Sequence, residues 1–106
     1  MVGHIVTSFV LKAELLEKTR RFIRGLNQND RAKIAAAIRT LEFGDYQSVQ
    51  TKSLRGPIKE LIVRSYRIVF FVKNTTIYFV SGFRKKSRKT PRNEIKNAEN
   101  IFKMFE

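Results

Sequence analysis

The sequence has 106 residues, of which 42% are apolar, and this is enough for one domain, residues 1–106, with a single core. It contains no cysteine, which excludes disulfides, thiolate metal sites and cysteine nucleophiles, and no apolar run approaches the ~20 residues of a membrane span. Lys and Arg outnumber Asp and Glu by 22 to 9, so the net charge of +13 predicts a polyanionic partner. The N-terminus lacks the features of a signal peptide, and we expect a soluble, cytoplasmic protein.

The first half of the chain predicts a short strand followed by two helices. The segment "GHIVT", residues 3–7, favours a strand. The first helix is predicted over residues 9–24. The apolar residues that recur at helical spacing in and just after this range are Leu11, Leu15, Phe22 and Leu26. A second such set predicts the next helix: Ile34, Ala37, Ile38 and Leu41. The intervening "GLNQND" predicts a turn with Asn29 or Asp30 as helix N-cap, so we expect an antiparallel helical hairpin.

The second half predicts three strands and a closing helix. Residues 44–57 are interpreted as an irregular connection. "KELIV", "YRIVFFV" and "TIYFVSGF" are rich in β-branched and aromatic residues and are separated by the turn-like "RS" and "KNTT". Thr90 and Pro91 mark a helix start, and the apolar face of that helix comprises Ile95, Ala98, Phe102 and Phe105. The predicted fold is α+β, with an antiparallel sheet of three or four strands packed by helices.

Positive charge is concentrated between the last strand and the closing helix. Nine cations and no acid occur from residue 61 to residue 93, and six of them lie in the nine residues from Arg84 to Arg92. A surface that serves only solubility usually contains both positively and negatively charged side chains. We therefore interpret this segment as a binding surface for phosphates, with four cations as the predicted contacts: Arg64, Arg88, Lys89 and Arg92.

Hairpin geometry predicts which cations meet. If "KNTT" is a four-residue loop, Val72 faces Ile77, and counting back places Arg67 opposite about Gly82. If "RS" is a two-residue loop, Arg64 lies at the same end of the sheet. The cations expected to converge at this edge are Arg64, Arg67, Arg84, Lys85 and Lys86.

Arg67 is the best candidate for a fixed phosphate ligand. It shares a strand face with Val69 and Phe71, so its aliphatic stem should be packed and its guanidinium held for bidentate binding. The alternative is that Arg67 pairs with Glu60 across the hairpin. Because the guanidinium is expected at the edge of the sheet, replacing Arg67 should leave the fold intact.

The residue types present limit the chemistry. The single histidine, His4, lies far from the basic segment, and the acids are scattered, which argues against a two-metal nuclease. The chain is then either a binder or a catalyst that uses Arg, Lys and Tyr without metal or cofactor. RNA permits the second option, because its own 2′-hydroxyl can attack the neighbouring phosphorus once geometry and charge are controlled.

A general base for such a reaction would come from the same segment. Repulsion among neighbouring cations lowers the pKa of a lysine, so Lys85 and Lys86 are the candidate bases. Tyr66 is a further candidate, although it is equally expected as a core aromatic. The predicted catalytic set is therefore Arg67, Arg84, Lys85, Lys86 and Tyr66.

The C-terminal half resembles a known family. "KSLRGPIKELIVRSYRIVFFV" followed by "GFRKKSRKTPRNEIKNA" is similar to the RelE/ParE toxin superfamily, specifically its phage-derived, HigB-like branch. The positions that carry the resemblance are Leu54, Gly56, Glu60, Leu61, Tyr66, Arg67, Gly82, Phe83, Lys85, Lys86, Lys89, Thr90, Pro91, Glu94, Ile95 and Ala98. In the N-terminal half only the two-helix architecture corresponds.

The resemblance implies the toxin of a type II toxin–antitoxin pair, an RNase that cuts mRNA on the ribosome. It also implies a cognate antitoxin partner, often a helix-turn-helix, HigA-like protein in this branch. Arg67 matches the family's strand arginine for the scissile phosphate, and Arg84 falls where RelE has a second arginine. Two alternatives stay open: a ParE-like poison of DNA gyrase, and a non-catalytic basic module that binds nucleic acid.

Overall fold

The computed structural model describes residues 11–105 and contains one five-stranded sheet with helices on both faces. The elements in chain order are β1 (Lys12–Leu15), α1 (Glu17–Arg24), α2 (Gln28–Glu42), β2 (Gln50–Arg55), β3 (Ile58–Val63), β4 (Tyr66–Lys73), β5 (Thr76–Arg84) and α3 (Arg92–Met104), with a short 3₁₀ turn at Tyr46–Ser48. The α+β class and the closing helix are confirmed. The strand predicted at residues 3–7 lies outside the described residues.

The sheet has more strands than the three or four predicted, in the order β1-β5-β4-β3-β2. β1 runs parallel to β5, and the other neighbouring pairs are antiparallel. The first helix was predicted over residues 9–24, but residues 12–15 form β1 instead, because the open edge of β5 offers backbone partners. Lys12 N donates to Thr75 O at 2.9 Å, and Leu16 N donates to Phe79 O at 3.0 Å. Pairing with an existing strand therefore outweighs the local helical periodicity.

The segment predicted as an irregular connection contains the other edge strand. β2 pairs with β3 from Gln50 opposite Ile62 to Arg55 opposite Ile58. The reversal passes through Gly56, whose φ of 52° lies in the left-handed region that favours glycine. β2 is exposed along most of its length, so it lacks the apolar run by which a strand is recognised in sequence.

The two N-terminal helices are joined by a short turn, as predicted. The N-cap of α2 is Asn27 rather than Asn29 or Asp30, because the Asn27 side chain accepts a hydrogen bond from Asp30 N at 2.8 Å. α1 is tied to the sheet by the buried Thr19, whose hydroxyl donates to Phe79 O at 2.8 Å. The start of α2 lies at the end of the sheet where β4 begins, because Tyr66 OH donates to Asp30 Oδ2 at 2.6 Å.

The alternation of side chains along the strands produces two cores. On one face, α1 and α2 cover Ile68, Phe70 and Phe79. On the opposite face, α3 covers Val69, Phe71 and Val80, with Ala98 buried against them. We call these the α1/α2 face and the α3 face. Every residue of β4 therefore belongs to one of two surfaces that the sheet separates.

α3 begins at Arg92, one residue after Pro91, and the hydroxyl of Thr90 does not cap it. Instead Thr90 Oγ1 donates to Glu60 Oε1 on β3 at 2.6 Å. This contact attaches the end of the basic loop, residues 85–91, to the α3 face. Within residues 11–105, no helix has the length and apolar character needed to cross a membrane.

Candidate functional site

The end of the sheet where the β3–β4 turn meets the last residues of β5 was predicted to hold the site. Arg64 and Ser65 form the two-residue turn, with Arg64 at φ 56°. Val72 lies opposite Ile77, as predicted, and the ladder continues to Lys73 opposite Thr76. Beyond the end of β5, Lys85 N donates to Ser65 O at 2.7 Å. The backbones of these segments therefore converge as expected.

The predicted register between β4 and β5 is wrong by one residue. Val69 pairs with Ser81 and Phe70 pairs with Phe79, so Val80 is an extra residue in β5. This bulge places Phe83, rather than Gly82, opposite Arg67. Sequence counting misses the shift because the apolar run through β5 contains nothing that marks a bulge.

The register divides the predicted cations between the two faces. Arg84 pairs with Tyr66 and lies on the α1/α2 face, where its guanidinium stacks on the Tyr66 ring. Arg67 is the next residue of β4 and lies on the α3 face beside Glu60. Both arginines therefore reach the predicted edge of the sheet, but their side chains project from opposite faces, because neighbouring residues of a strand project to opposite sides.

Arg67 is held in place, with one buried donor atom left unpaired. Its Nη1 donates to Arg64 O and to Tyr66 O, both at 2.9 Å, and these two carbonyls fix the plane of the guanidinium. Nε is buried without a hydrogen-bond partner. The nearest carboxylate oxygen, Glu60 Oε2, is 3.8 Å from Nε, which is an ion pair but not a hydrogen bond. The alternative pairing of Arg67 with Glu60 is thus present in the structure.

The Arg67 guanidinium is buried rather than placed at an open edge. Its side chain is 11% exposed and that of Glu60 is 3% exposed. Removing the arginine would leave a buried carboxylate without its counter-ion, which is strongly destabilising. The expectation that replacing Arg67 leaves the fold intact is corrected on this ground.

A basic groove lies beside this pair on the α3 face. It has a volume of about 320 Å³, and its lining residues are Lys52, Ser53, Leu54, Arg55, Lys89, Thr90, Arg92 and Ile95. Arg55 pairs with Glu99 at 3.6 Å, whereas Lys52, Lys89 and Arg92 form no ion pair with another described residue. Thr90 belongs to the groove and also bonds Glu60, so the groove adjoins the Arg67 pair.

Lys52 and Arg55 are the groove cations that the sequence did not predict. Both lie on β2, in the segment interpreted as irregular, and Lys52 is opposite Glu60. The usable signal was the "TKSLR" run before Gly56 and Pro57, because a reversal there places its residues beside β3. Two of the four predicted phosphate contacts, Lys89 and Arg92, share the groove with Lys52.

A second cleft opens on the α1/α2 face. It has a volume of about 330 Å³ and is lined by Asn27, Asp30, Arg64, Ser65, Tyr66 and Arg84. Tyr66 OH donates to Asp30 Oδ2 at 2.6 Å and accepts from Arg84 Nη2 at 3.0 Å. Arg84 Nη1 also lies 3.2 Å from Ser65 Oγ. The hydrogen bond to Asp30, together with burial, raises the pKa of the Tyr66 phenol, and Arg84 opposes this rise.

The pKa shift limits what Tyr66 can do. A raised pKa favours the neutral phenol, which is a poor general base near neutral pH. The ring also packs edge-on against Phe22, with centroids 5.8 Å apart, so the expectation of a core aromatic is confirmed.

The remaining predicted residues lie in and beside the basic loop. Lys85 is half-buried, and Lys86 and Arg88 are exposed between β5 and α3. Lys85 follows the last residue of β5, and its backbone N–H donates to Ser65 O in the β3–β4 turn. Of the nine predicted residues, the α3 face and its groove carry three: Arg67, Lys89 and Arg92.

Comparison with known proteins agrees with this architecture. Residues 21–103 match the family model described as phage derived protein Gp49-like (DUF891). No curated protein matches the sequence. The structure is similar to RelE in the RelE–RelB complex of Pyrococcus horikoshii, with a TM-score of 0.67 and 10% identity over 76% of this chain and 100% of the other.

Two further solved structures share the fold. The RelB–RelE complex of Methanococcus jannaschii matches with a TM-score of 0.58 and 14% identity, over 87% of this chain and 98% of the other. The RelBE complex of Escherichia coli matches with a TM-score of 0.57 and 19% identity, over 73% and 99%. The HigB-like branch stays a prediction. The chain belongs to the Gp49-like family of phage-derived proteins and has the fold of the RelE toxins.

Proposed function

We propose that this protein is the toxin of a type II toxin–antitoxin pair and an endoribonuclease that cuts mRNA on the ribosome in the cytoplasm. A cognate antitoxin, of the helix-turn-helix, HigA-like kind, would bind and silence it. The support is the family, the RelE fold, and the solved relatives whose RelE chains are bound to RelB. One observation carries the assignment of the site: Arg67 is fixed by two carbonyls while its buried Nε has no hydrogen-bond partner.

Arg67 would act as the clamp for the scissile phosphate. A phosphate oxygen that takes the place of Glu60 beside Nε would supply the hydrogen-bond acceptor that this atom lacks. The groove with Lys52, Lys89 and Arg92 adjoins this position through Thr90, so flanking phosphates of the same strand would bind there. Because two carbonyls already fix the plane of the guanidinium, its orientation would not have to change to stabilise the charge of the transition state.

The cleavage itself would use the RNA 2′-hydroxyl as nucleophile, with no metal. The hydroxyl would transfer its proton to the amine of Lys85 or Lys86 and form a bond to phosphorus. The bond to the 5′-oxygen of the next nucleotide would break at the same time, and this oxygen would take up a proton from water. The products are a 2′,3′-cyclic phosphate and a 5′-hydroxyl end. We favour Lys85 because alternation continued beyond Arg84, the last residue of β5, would bring it to the same face as Arg67.

The test is to add the purified protein to a translating extract and map the 5′ ends of a defined mRNA. We expect cuts at discrete positions, loss of protein synthesis, and recovery when the product of the neighbouring reading frame is added as antitoxin. Intact mRNA together with inhibited supercoiling by DNA gyrase would instead indicate the ParE-like alternative. RNA binding with neither effect would indicate a non-catalytic module.

We expect the affinity of the basic groove for RNA to depend steeply on salt. About four phosphate contacts predict a slope of roughly −3 for log affinity against log salt, from ~0.7 per contact on a single strand. Lys89→Ala should flatten this slope by about 0.7, because one contact is lost. The matched control is Lys33→Ala on the exposed side of α2, which should leave the slope unchanged. Fluorescence anisotropy with single-stranded RNA measures the affinity at each salt concentration. Equal slopes for the wild type and both variants would contradict RNA binding in the groove.

A further inference from the structure

The cleft on the α1/α2 face contains a chain of contacts that the proposed cleavage does not use. Asp30 accepts a hydrogen bond from Tyr66, Tyr66 accepts one from Arg84, and the distances are 2.6 and 3.0 Å. The guanidinium carbon of Arg84 lies 4.8 Å from the centroid of the Tyr66 ring. An exposed arginine at the end of a strand is normally mobile, so these contacts reduce the freedom of a side chain that otherwise faces solvent.

This series of contacts begins at Asp30, a residue that is itself held in place. Asp30 lies in the first turn of α2, where its backbone N–H donates to Asn27 Oδ1 at 2.8 Å and its carboxylate accepts from Asn27 Nδ2 at 3.2 Å. Tyr66 is 4% exposed, and its ring belongs to the core on this face. The start of a helix and a buried ring therefore hold the phenol oxygen, and this oxygen holds Arg84.

Arg84 and Arg64 both line this cleft, and the turn that separates the cleft from the Arg67 face consists of only Arg64 and Ser65. A nucleic acid strand bound at Arg67 can leave the site over this turn and meet Arg84 on the other side. A guanidinium held by neutral contacts keeps its charge available for a phosphate. No carboxylate contacts Arg84 among the described residues; the acid of the cleft, Asp30, is bonded to the phenol instead.

We propose that Arg84 binds a phosphate next to the scissile one in the same RNA strand, on the opposite face of the sheet, and that Asp30 and Tyr66 are its positioning residues. This inference rests on the proposed function. It gives the RNA a path over the Arg64–Ser65 turn. Because the flanking phosphate carries the same charge before and during cleavage, Arg84 should bind substrate and transition state equally.

The experiment separates KM from kcat. Arg84→Ala should raise KM by about tenfold, the change for ~1.4 kcal/mol, and should leave kcat within about twofold. Arg39→Ala, which removes an exposed arginine near the far end of α2, is the matched control and should change neither constant. A fall in kcat at unchanged KM would place Arg84 at the reacting phosphate and overturn the inference, as would two unchanged constants.

The positioning residues are tested through their coupling to Arg84. Tyr66→Phe keeps the ring and removes the hydroxyl, and Asp30→Asn removes the carboxylate charge; each should raise KM by about threefold in the wild-type background. Neither should add to the effect of Arg84→Ala, because they act through that residue. Tyr46→Phe removes an exposed hydroxyl elsewhere and serves as control. Fully additive effects would mean that the contacts only support the fold, which contradicts the proposal.

A binding measurement keeps the inference separate from the proposed function. If the wild-type protein binds RNA but does not cleave it, the cleavage proposal fails, and the Kd of each variant for single-stranded RNA replaces KM. The same tenfold loss and the same non-additivity are then expected, and their absence would overturn the inference. In parallel, the ultraviolet titration of Tyr66, taken against Tyr66→Phe, should show that Asp30→Asn lowers the pKa of the phenol, because the carboxylate charge that helps to raise it is lost.

Discussion

Replacing Arg67 by alanine is expected to lower the rate of mRNA cleavage by about 10²–10³-fold, the usual cost of losing one oriented transition-state donor. The same replacement should lower the free energy of unfolding by roughly 3–5 kcal/mol, because it leaves the Glu60 carboxylate buried without its counter-ion. It also leaves the carbonyls of Arg64 and Tyr66 without the Nη1 donor. The rate and the stability therefore have to be measured on the same preparation, by single-turnover cleavage and by denaturant unfolding.

A second substitution separates the two effects. In the double variant Arg67→Ala with Glu60→Gln, the uncompensated charge is gone, so much of the stability should return while the cleavage rate stays low. Glu60→Gln alone should leave cleavage largely intact, because the clamp is still present. Arg67→Lys should restore little activity, since an ammonium group cannot reproduce two parallel hydrogen bonds. Arg21→Ala, which removes an exposed arginine of α1, is the control. Wild-type cleavage by a well-folded double variant would show that Arg67 is not the clamp.

An mRNA that carries a single 2′-deoxy sugar on the 5′ side of the cut should resist cleavage at that phosphate completely. The proposed reaction takes its nucleophile from this sugar, so removing the hydroxyl leaves nothing to attack the phosphorus. Neighbouring sites in the same message should still be cut at their normal rate, which makes the message its own control. Cleavage that persists at the modified phosphate would mean that another nucleophile, such as water, performs the reaction.

The ends of the fragments check the same chemistry independently. We expect a 2′,3′-cyclic phosphate or its opened form on the upstream fragment, and a 5′-hydroxyl on the downstream fragment that a kinase can label directly. Cleavage should also continue when free divalent ions are chelated, once the magnesium that the ribosome needs is supplied separately. A 5′-phosphate on the downstream fragment would contradict attack by the 2′-hydroxyl.

The sequence alone determined the elements that carry a clear apolar run or an apolar face. β3, β4 and β5 are β-branched and aromatic runs between short turns, and their helical partners α2 and α3 carry clear apolar faces. The residues that carry the family resemblance lie in the same part of the chain, so the fold class and the basic segment could be predicted from the sequence alone. Local chemistry was sufficient there, because burial demands the same residue types that sequence patterns detect.

Tertiary structure decided the conformation of the two segments that become strands only by pairing with a neighbouring strand, β1 and β2. Residues 12–15 have the spacing of a helix, but the open edge of β5 converts them into β1. β2 carries no apolar run, so only its pairing with β3 reveals it and brings Lys52 beside Lys89 and Arg92. Edge strands are partly solvated and can be polar, so their sequences resemble loops.

Tertiary structure also decided how the site is divided. The single extra residue at Val80 shifts the register, and side-chain alternation then assigns Arg67 and Arg84 to opposite faces. Sequence identified both arginines as functional candidates, but it could not show that one is buried against Glu60 while the other is held by Tyr66. A bulge changes the face of the sheet from which a side chain projects, but it does not change the chemistry of that side chain. Composition and motifs therefore indicate which residues take part in the site. Only the folded sheet determines which of these residues can act on the same phosphate.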